Sequence, residues 1–257
     1  MFDRLQKPFL TVETGEAYQP IRLTYQFKDK DKLLQSLENL KCIEKNVTPN
    51  SWNWFWKAEC DDIHFESLES FRRFPQQPVR LGTFTIKDNK LFLQLPSFKR
   101  ACLAVIFFHK VWDITNITVR HADFLNKVFA LDERLPHGFT ELFKDEELEQ
   151  FIHRRVEDYN KVKEQCEHAT SVEEAFTLLA NYSTEESKKR LPYAERYFFE
   201  EKHDQDPEVL YLAFYIFLRG RELVAIKRWY GEAGYSLADA AEDTFDTVFG
   251  ELRMDVV

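Results

Sequence analysis

Residues 51–57 read Ser-Trp-Asn-Trp-Phe-Trp-Lys, which puts three of the five tryptophans at alternate positions. Successive side chains of an extended strand point to opposite faces, so Trp52, Trp54 and Trp56 line one face together. Three indoles on one face demand either a covering layer of helices or a ligand that stacks on them. The chain around them must therefore supply a sheet with one strongly apolar face.

The flanking sequence supplies it. Ile21 to Phe27 alternates Ile, Leu, Tyr and Phe with Arg, Thr and Gln, the period of a half-buried strand. Asp31 then stands where a helix carrying Leu33, Leu34, Leu37 and Leu40 would be capped. Thr48-Pro49-Asn50 signals a turn before the tryptophan strand, and Asp61-Asp62 can open a short helix with Ile63, Phe65, Leu68 and Phe71 inward. Val79 to Ile86 and Leu91 to Leu95 read as a hairpin turning at Asp88-Asn89. Ser97 caps a helix over Phe98 to Trp112, and Asn116 to Arg120 forms one more strand. This order implies an α+β sandwich with helices on one sheet face, of which the βαβ-βαβ ferredoxin-like arrangement is the nearest common architecture.

The second half changes character. Capping boxes stand at Ser171 to Glu174 and at Ser183 to Glu186, Asp206-Pro207 opens a helix, and Ser236 to Asp239 opens another. Helices are expected near 122–131, 140–168, 172–181, 184–202, 207–231 and 236–249. The expectation is an α+β domain over 1–121 followed by an acidic all-helical domain over 122–257. Charge follows the same division: residues 1–135 carry 20 Lys+Arg against 17 Asp+Glu, and the remainder carries 15 against 27. Crowded negative charge makes the second half a poor surface for phosphates.

No constellation in the sequence points to a reaction. Seven scattered glycines offer no phosphate-cradling loop, and no nucleophile elbow occurs. Glu200 and His203 share a helical step, but the second such pair that a di-iron bundle needs is missing. Cys166 and His168 fall short of a zinc set, and His109 sits on an apolar helix as a core histidine would. Arg134-Leu-Pro-His-Gly138 is a loop between the halves where a ligand or a linker would be at home. The reading assigns no catalytic residue, no metal ligand and no cofactor.

Four cysteines scattered without a CxxC pair fit a reduced cytoplasmic setting. The longest apolar run, Val209 to Leu218, has ten residues, and a membrane span needs about 20. That run reads as a buried core helix, and no membrane association is expected. The second half is also rich in tyrosine and tryptophan, residues enriched at binding surfaces. The function expected is a non-catalytic protein-interaction or adaptor module, with Tyr197, Tyr211, Tyr215 and Trp229 as binding residues. Single-stranded nucleic acid stacked on Trp52, Trp54 and Trp56 is one alternative, and an enzyme with its site between the halves is another.

Overall fold

A computed structural model describes residues 7–63, 65, 78–135, 139–143, 145–199 and 206–244. The protein is a mixed α+β fold with one seven-stranded sheet among the described residues. The elements are β1 (Ile21–Phe27), α1 (Lys30–Glu38), β2 (Ile43–Lys45), β3 (Ser51–Phe55), β4 (Arg80–Lys87), β5 (Lys90–Leu95), α2 (Phe98–Val111) and β6 (Ile117–Leu125). There follow α3 (Phe139–Leu142), α4 (Asp145–Glu167), α5 (Val172–Lys188), β7 (Ala194–Phe198) and α6 (Pro207–Trp229), with a last helical stretch over 237–244. The strand order is β2-β3-β4-β5-β1-β6-β7, and every neighbouring pair is antiparallel. Three strands separate β1 from β2, a spacing that two adjacent βαβ units would not give.

Local chemistry sets most of these elements. In β1, Ile21, Leu23 and Tyr25 are buried and alternate with Arg22 and Gln26, so the period of two is realised. β4 and β5 meet at a two-residue turn in which Asp88 and Asn89 have φ of 49° and 56°. Positive φ at both positions gives the turn whose twist matches paired strands, and Asn and Asp tolerate it best after glycine. Gly82 faces Trp54 across β3 and β4, and a Cβ there would lie 2.7 Å from a Leu95 methyl and 2.9 Å from the Gln94 carbonyl oxygen. Ser97 accepts from the Arg100 N–H at 3.3 Å to cap α2, and Asp206 accepts from the Glu208 N–H at 2.8 Å with Pro207 next to it. Ser171 and Ser236 cap as their motifs imply.

The structure corrects four expectations. Asp29 rather than Asp31 caps α1, accepting from the N–H groups of Asp31 and Lys32. The Ser183 to Glu186 box lies inside α5, because no chain break precedes it and the helix runs on to Lys188. Residues 122–125 belong to β6 rather than to a helix, since Ala122 and Phe124 alternate inward against β1. Residues 194–198 form β7 where a helix over 184–202 was expected, so the second half is not all helical. Arg196 pairs with Asp123 and Tyr197 with Ala122, which extends the sheet beyond β6. Position 121/122, the expected domain limit, falls within β6. The short helix expected after Asp61-Asp62 lies largely outside the described residues.

Helices α1, α2 and α6 cover one sheet face. Leu33 and Leu37 of α1, Ala101, Val105 and Phe108 of α2, and Leu210, Phe214 and Leu218 of α6 join Leu23, Trp54, Phe84, Leu93 and Phe124 in the principal core. α4 and α5 pair as a helical hairpin, and α4 runs beside β7. The opposite sheet face is predominantly polar.

Candidate interaction surfaces

The tryptophan strand is where the core begins. Trp54 is fully buried, Trp52 nearly so, and Trp56 is half-buried against Phe65. Trp54 stacks on Phe107 and tilts against Phe108, and its indole N–H donates to the Cys60 thiol at 3.0 Å. Trp52 and Trp54 are therefore part of the core and Trp56 lies half-buried at its margin, so the three do not form an open stacking platform. Tyr197 packs on Phe199, Phe214 and Phe217, and Tyr211 stacks on Tyr215 at 5.9 Å. Trp229 donates its indole N–H to the Lys7 carbonyl at 2.7 Å. These four residues are half-buried supports of the core margin rather than an open patch.

What α6 leaves open is aliphatic. Val209, Leu212 and Ile216 are 55%, 53% and 57% exposed, and Ala213 is exposed beside them. Steps of three, four and seven residues place all four on one face, directly opposite Leu210, Phe214 and Leu218. The ten-residue apolar run is thus half core and half surface. Further along the same face, Leu237 lies 3.5 Å from where a Gly220 Cβ would be, so the 237–244 stretch covers the second half of the stripe. Among the described residues nothing is seen to cover the first half, where Val209, Leu212, Ala213 and Ile216 are exposed.

The polar sheet face carries an ion network that sequence gave no means to find. Asp123 on β6 is fully buried and accepts from Arg22 at 2.7 Å and from Arg196 at 2.5 Å; Arg196 also donates to Glu149 of α4 at 2.6 Å. Burial alone would raise the Asp123 carboxyl, but the Arg196 hydrogen bond and the surrounding positive charges outweigh it and hold the group below its ordinary range. His121, next on that face, is pushed down to about 4 by burial, with Arg196, Arg22 and Lys90 adding to the effect and Asp123 opposing it. His121 is therefore neutral at pH 7.

Because the unfolded chain takes up that proton near pH 6.5 and the folded chain only near 4, stability is lost as pH falls through this window. The loss attributable to His121 is on the order of 2 kcal/mol after allowance for its partial exposure. His121→Gln is expected to flatten urea midpoints between pH 6.5 and 4. Parallel wild-type and variant profiles would exclude this titration as the cause.

A second network lies on the helix side. Glu195 of β7, 1% exposed, accepts from Arg221 at 2.7 Å, from Arg155 at 2.8 Å and from Asn126 at 2.7 Å. A cavity of about 620 Å³ between the 10–18 arm and the sheet is lined by Tyr18, Thr83, Gln94 and Arg100. Its cation is engaged: Arg100 donates to Thr14, to Glu13 and to the Arg80 carbonyl. His109 is half-buried on α2, and burial lowers its pKa. Glu200, His203 and Pro136 to Gly138 lie outside the described residues. No helix among the described residues is long and apolar enough to cross a membrane.

Sheet and helices together define a mixed α+β protein whose distinctive surfaces are an aliphatic helix stripe and a polar sheet face. Comparison with family models, with curated proteins and with solved structures finds no match to the chain.

Proposed function

We propose that this protein is a non-catalytic interaction module, and that the stripe Val209, Leu212, Ala213 and Ile216 on α6 receives an amphipathic helix of a partner protein. The observation that carries the reading is the exposure of four aliphatic side chains at helical spacing on a helix whose other face is core. An apolar helix face left in water has no folding benefit, and grooves of this kind take partner helices through anchors at the same spacing. The surrounding second half carries 27 acidic against 15 basic residues, so the fitting partner helix has basic flanks. Tyr211 and Tyr215 sit on the same helix, packed against the core, and support this face from beneath.

Leu212→Glu with Ile216→Glu tests it. Both side chains are largely exposed, so the double variant is expected to unfold within about 0.5 kcal/mol of the wild type. Its saturable capture of partner protein from native lysate is expected to drop by at least tenfold, since a buried charge in an apolar groove is left unpaired. Equal capture by wild type and variant would remove α6 as the docking face.

A further inference from the structure

Two of the four cysteines are brought together by the fold. Cys42, just before β2, and Cys60, at the end of a short 3-10 turn (Ala58–Cys60), are both fully buried, and their thiols share a side-chain hydrogen bond. Backbone contacts hold them there. The Glu59 carboxylate accepts from the N–H groups of Lys41 and Cys42 at 3.1 and 2.9 Å, and the Cys42 carbonyl accepts from the Phe55 N–H at 2.8 Å. The Trp54 indole N–H donates to the Cys60 sulfur at 3.0 Å. Ala58 takes a φ of 53°, a left-handed conformation that a residue with a Cβ rarely adopts, and this bend turns Glu59 and Cys60 back toward Cys42.

We propose that Cys42 and Cys60 form a redox-modification site, closing to a disulfide when the chain meets a low-molecular-weight disulfide such as oxidised glutathione. A disulfide needs Cα atoms within about 7 Å of each other and sulfurs drawn in to about 2.05 Å. Sulfurs already in hydrogen-bond contact need only small side-chain rotations to reach that length.

Access sets the order of events. The hydrogen bond to Cys60, burial and the negative charge of Glu59 push the Cys42 thiol well above its ordinary range, so the closed pair is unreactive. Cys42 adjoins β2, a three-residue strand that pairs with β3 alone among the described residues. Fraying of so short an edge strand exposes the pair without global unfolding. A thiolate of the opened pair attacks one sulfur of the glutathione disulfide, forming a mixed disulfide and releasing a glutathione thiolate. The second cysteine, as its thiolate, attacks the protein sulfur of that mixed disulfide and releases the second glutathione thiolate. The two cysteine protons end on the two released glutathiones, the protein sulfurs are oxidised, and the glutathione disulfide is reduced. The new bond joins the two ends of the segment that carries Trp52 and Trp54. Oxidation thereby fixes an edge that reduction leaves free to fray. The site draws nothing from the partner-helix reading of α6.

The test incubates the folded full chain in glutathione buffers of rising oxidised-to-reduced ratio. Remaining thiols are then trapped with N-ethylmaleimide in denaturant, and the peptides are mapped by mass spectrometry. A linked Cys42–Cys60 peptide is expected, with buried Cys102 and half-buried Cys166 alkylated. The oxidised protein is expected to show a urea midpoint higher by about 1 M, lost on adding dithiothreitol, because the bond closes a loop in the unfolded chain. A second sample, refolded from urea in the same buffers, removes the question of access. The proposal is overturned if neither sample holds the linked peptide, or if the link forms only on refolding. It is equally overturned if Cys42 or Cys60 stops at the glutathione adduct or joins another cysteine, or if oxidation leaves the midpoint no higher than that of the reduced protein.

Discussion

Replacing Trp54 with alanine is expected to cost about 3–5 kcal/mol of stability. The indole is fully buried, stacked on Phe107 and tilted against Phe108, with its N–H satisfied by the Cys60 thiol. Truncation removes the transfer free energy of the ring and leaves a cavity that a sheet strand paired on both sides cannot easily close. β3 is held between β2 and β4 there, so the backbone has little freedom to collapse inward. Trp56→Ala provides the comparison: that ring is half-buried beside Phe65, and its loss is expected to cost clearly less. Urea unfolding followed by circular dichroism measures both. A Trp54→Ala cost under about 1 kcal/mol would mean that the tryptophan face is not the centre of the core.

The same strand shows what a sequence makes legible. Alternation, turn chemistry and caps are local, and they located β1, the β4-β5 hairpin at Asp88-Asn89, α2 behind Ser97 and α6 behind Asp206-Pro207. β7 is a different case. Ala194, Glu195 and Arg196 are good helix formers, and the aromatics after them favour strands. Pairing with β6, across a separation of 73 residues from Asp123 to Arg196, decides the outcome. The Ser183 to Glu186 box fails for a related reason: a cap motif starts a helix only where the chain is not already helical.

The candidate surfaces were less legible than the fold. A run such as Val209 to Leu218 is apolar on every side, so its sequence does not say which face the sheet will cover. Sequence therefore read it as wholly buried, and assigned binding to the tyrosines that in fact pack inward. The ion network of the polar sheet face was invisible for a stricter reason. Arg22, Asp123 and Arg196 come from β1, β6 and β7, and only the strand order β1-β6-β7 brings them together. The alternation of β1 did place Arg22 opposite Leu23, which marks a polar outer face. It could not show that Asp123 and Arg196 would join that face.

Glu195→Ala is expected to destabilise the protein by about 3–5 kcal/mol, for reasons opposite to those at Trp54. Nothing large is removed. What is lost is the only carboxylate among the described residues in direct contact with the Arg221 guanidinium, which is itself buried and lies 3.4 Å from the Phe217 ring centroid. Burial already lowers the Arg221 pKa, with the charge of Glu195 opposing that effect. Without Glu195 the guanidinium keeps its charge, because arginine does not lose its proton at accessible pH, and must either stay unpaired or tear α6 from the sheet to reach water. Arg155 is partly exposed and can turn outward, so it adds little to the cost. The argument makes a second demand. If the penalty comes from an uncompensated charge, removing both partners should cost much less than the two single losses together, so Glu195→Met with Arg221→Met should recover a large part of the stability. Urea midpoints of the two singles and the double close this cycle. Additive losses would mean that Glu195 and Arg221 act through packing alone, and that the ion pair does not join β7 to α6.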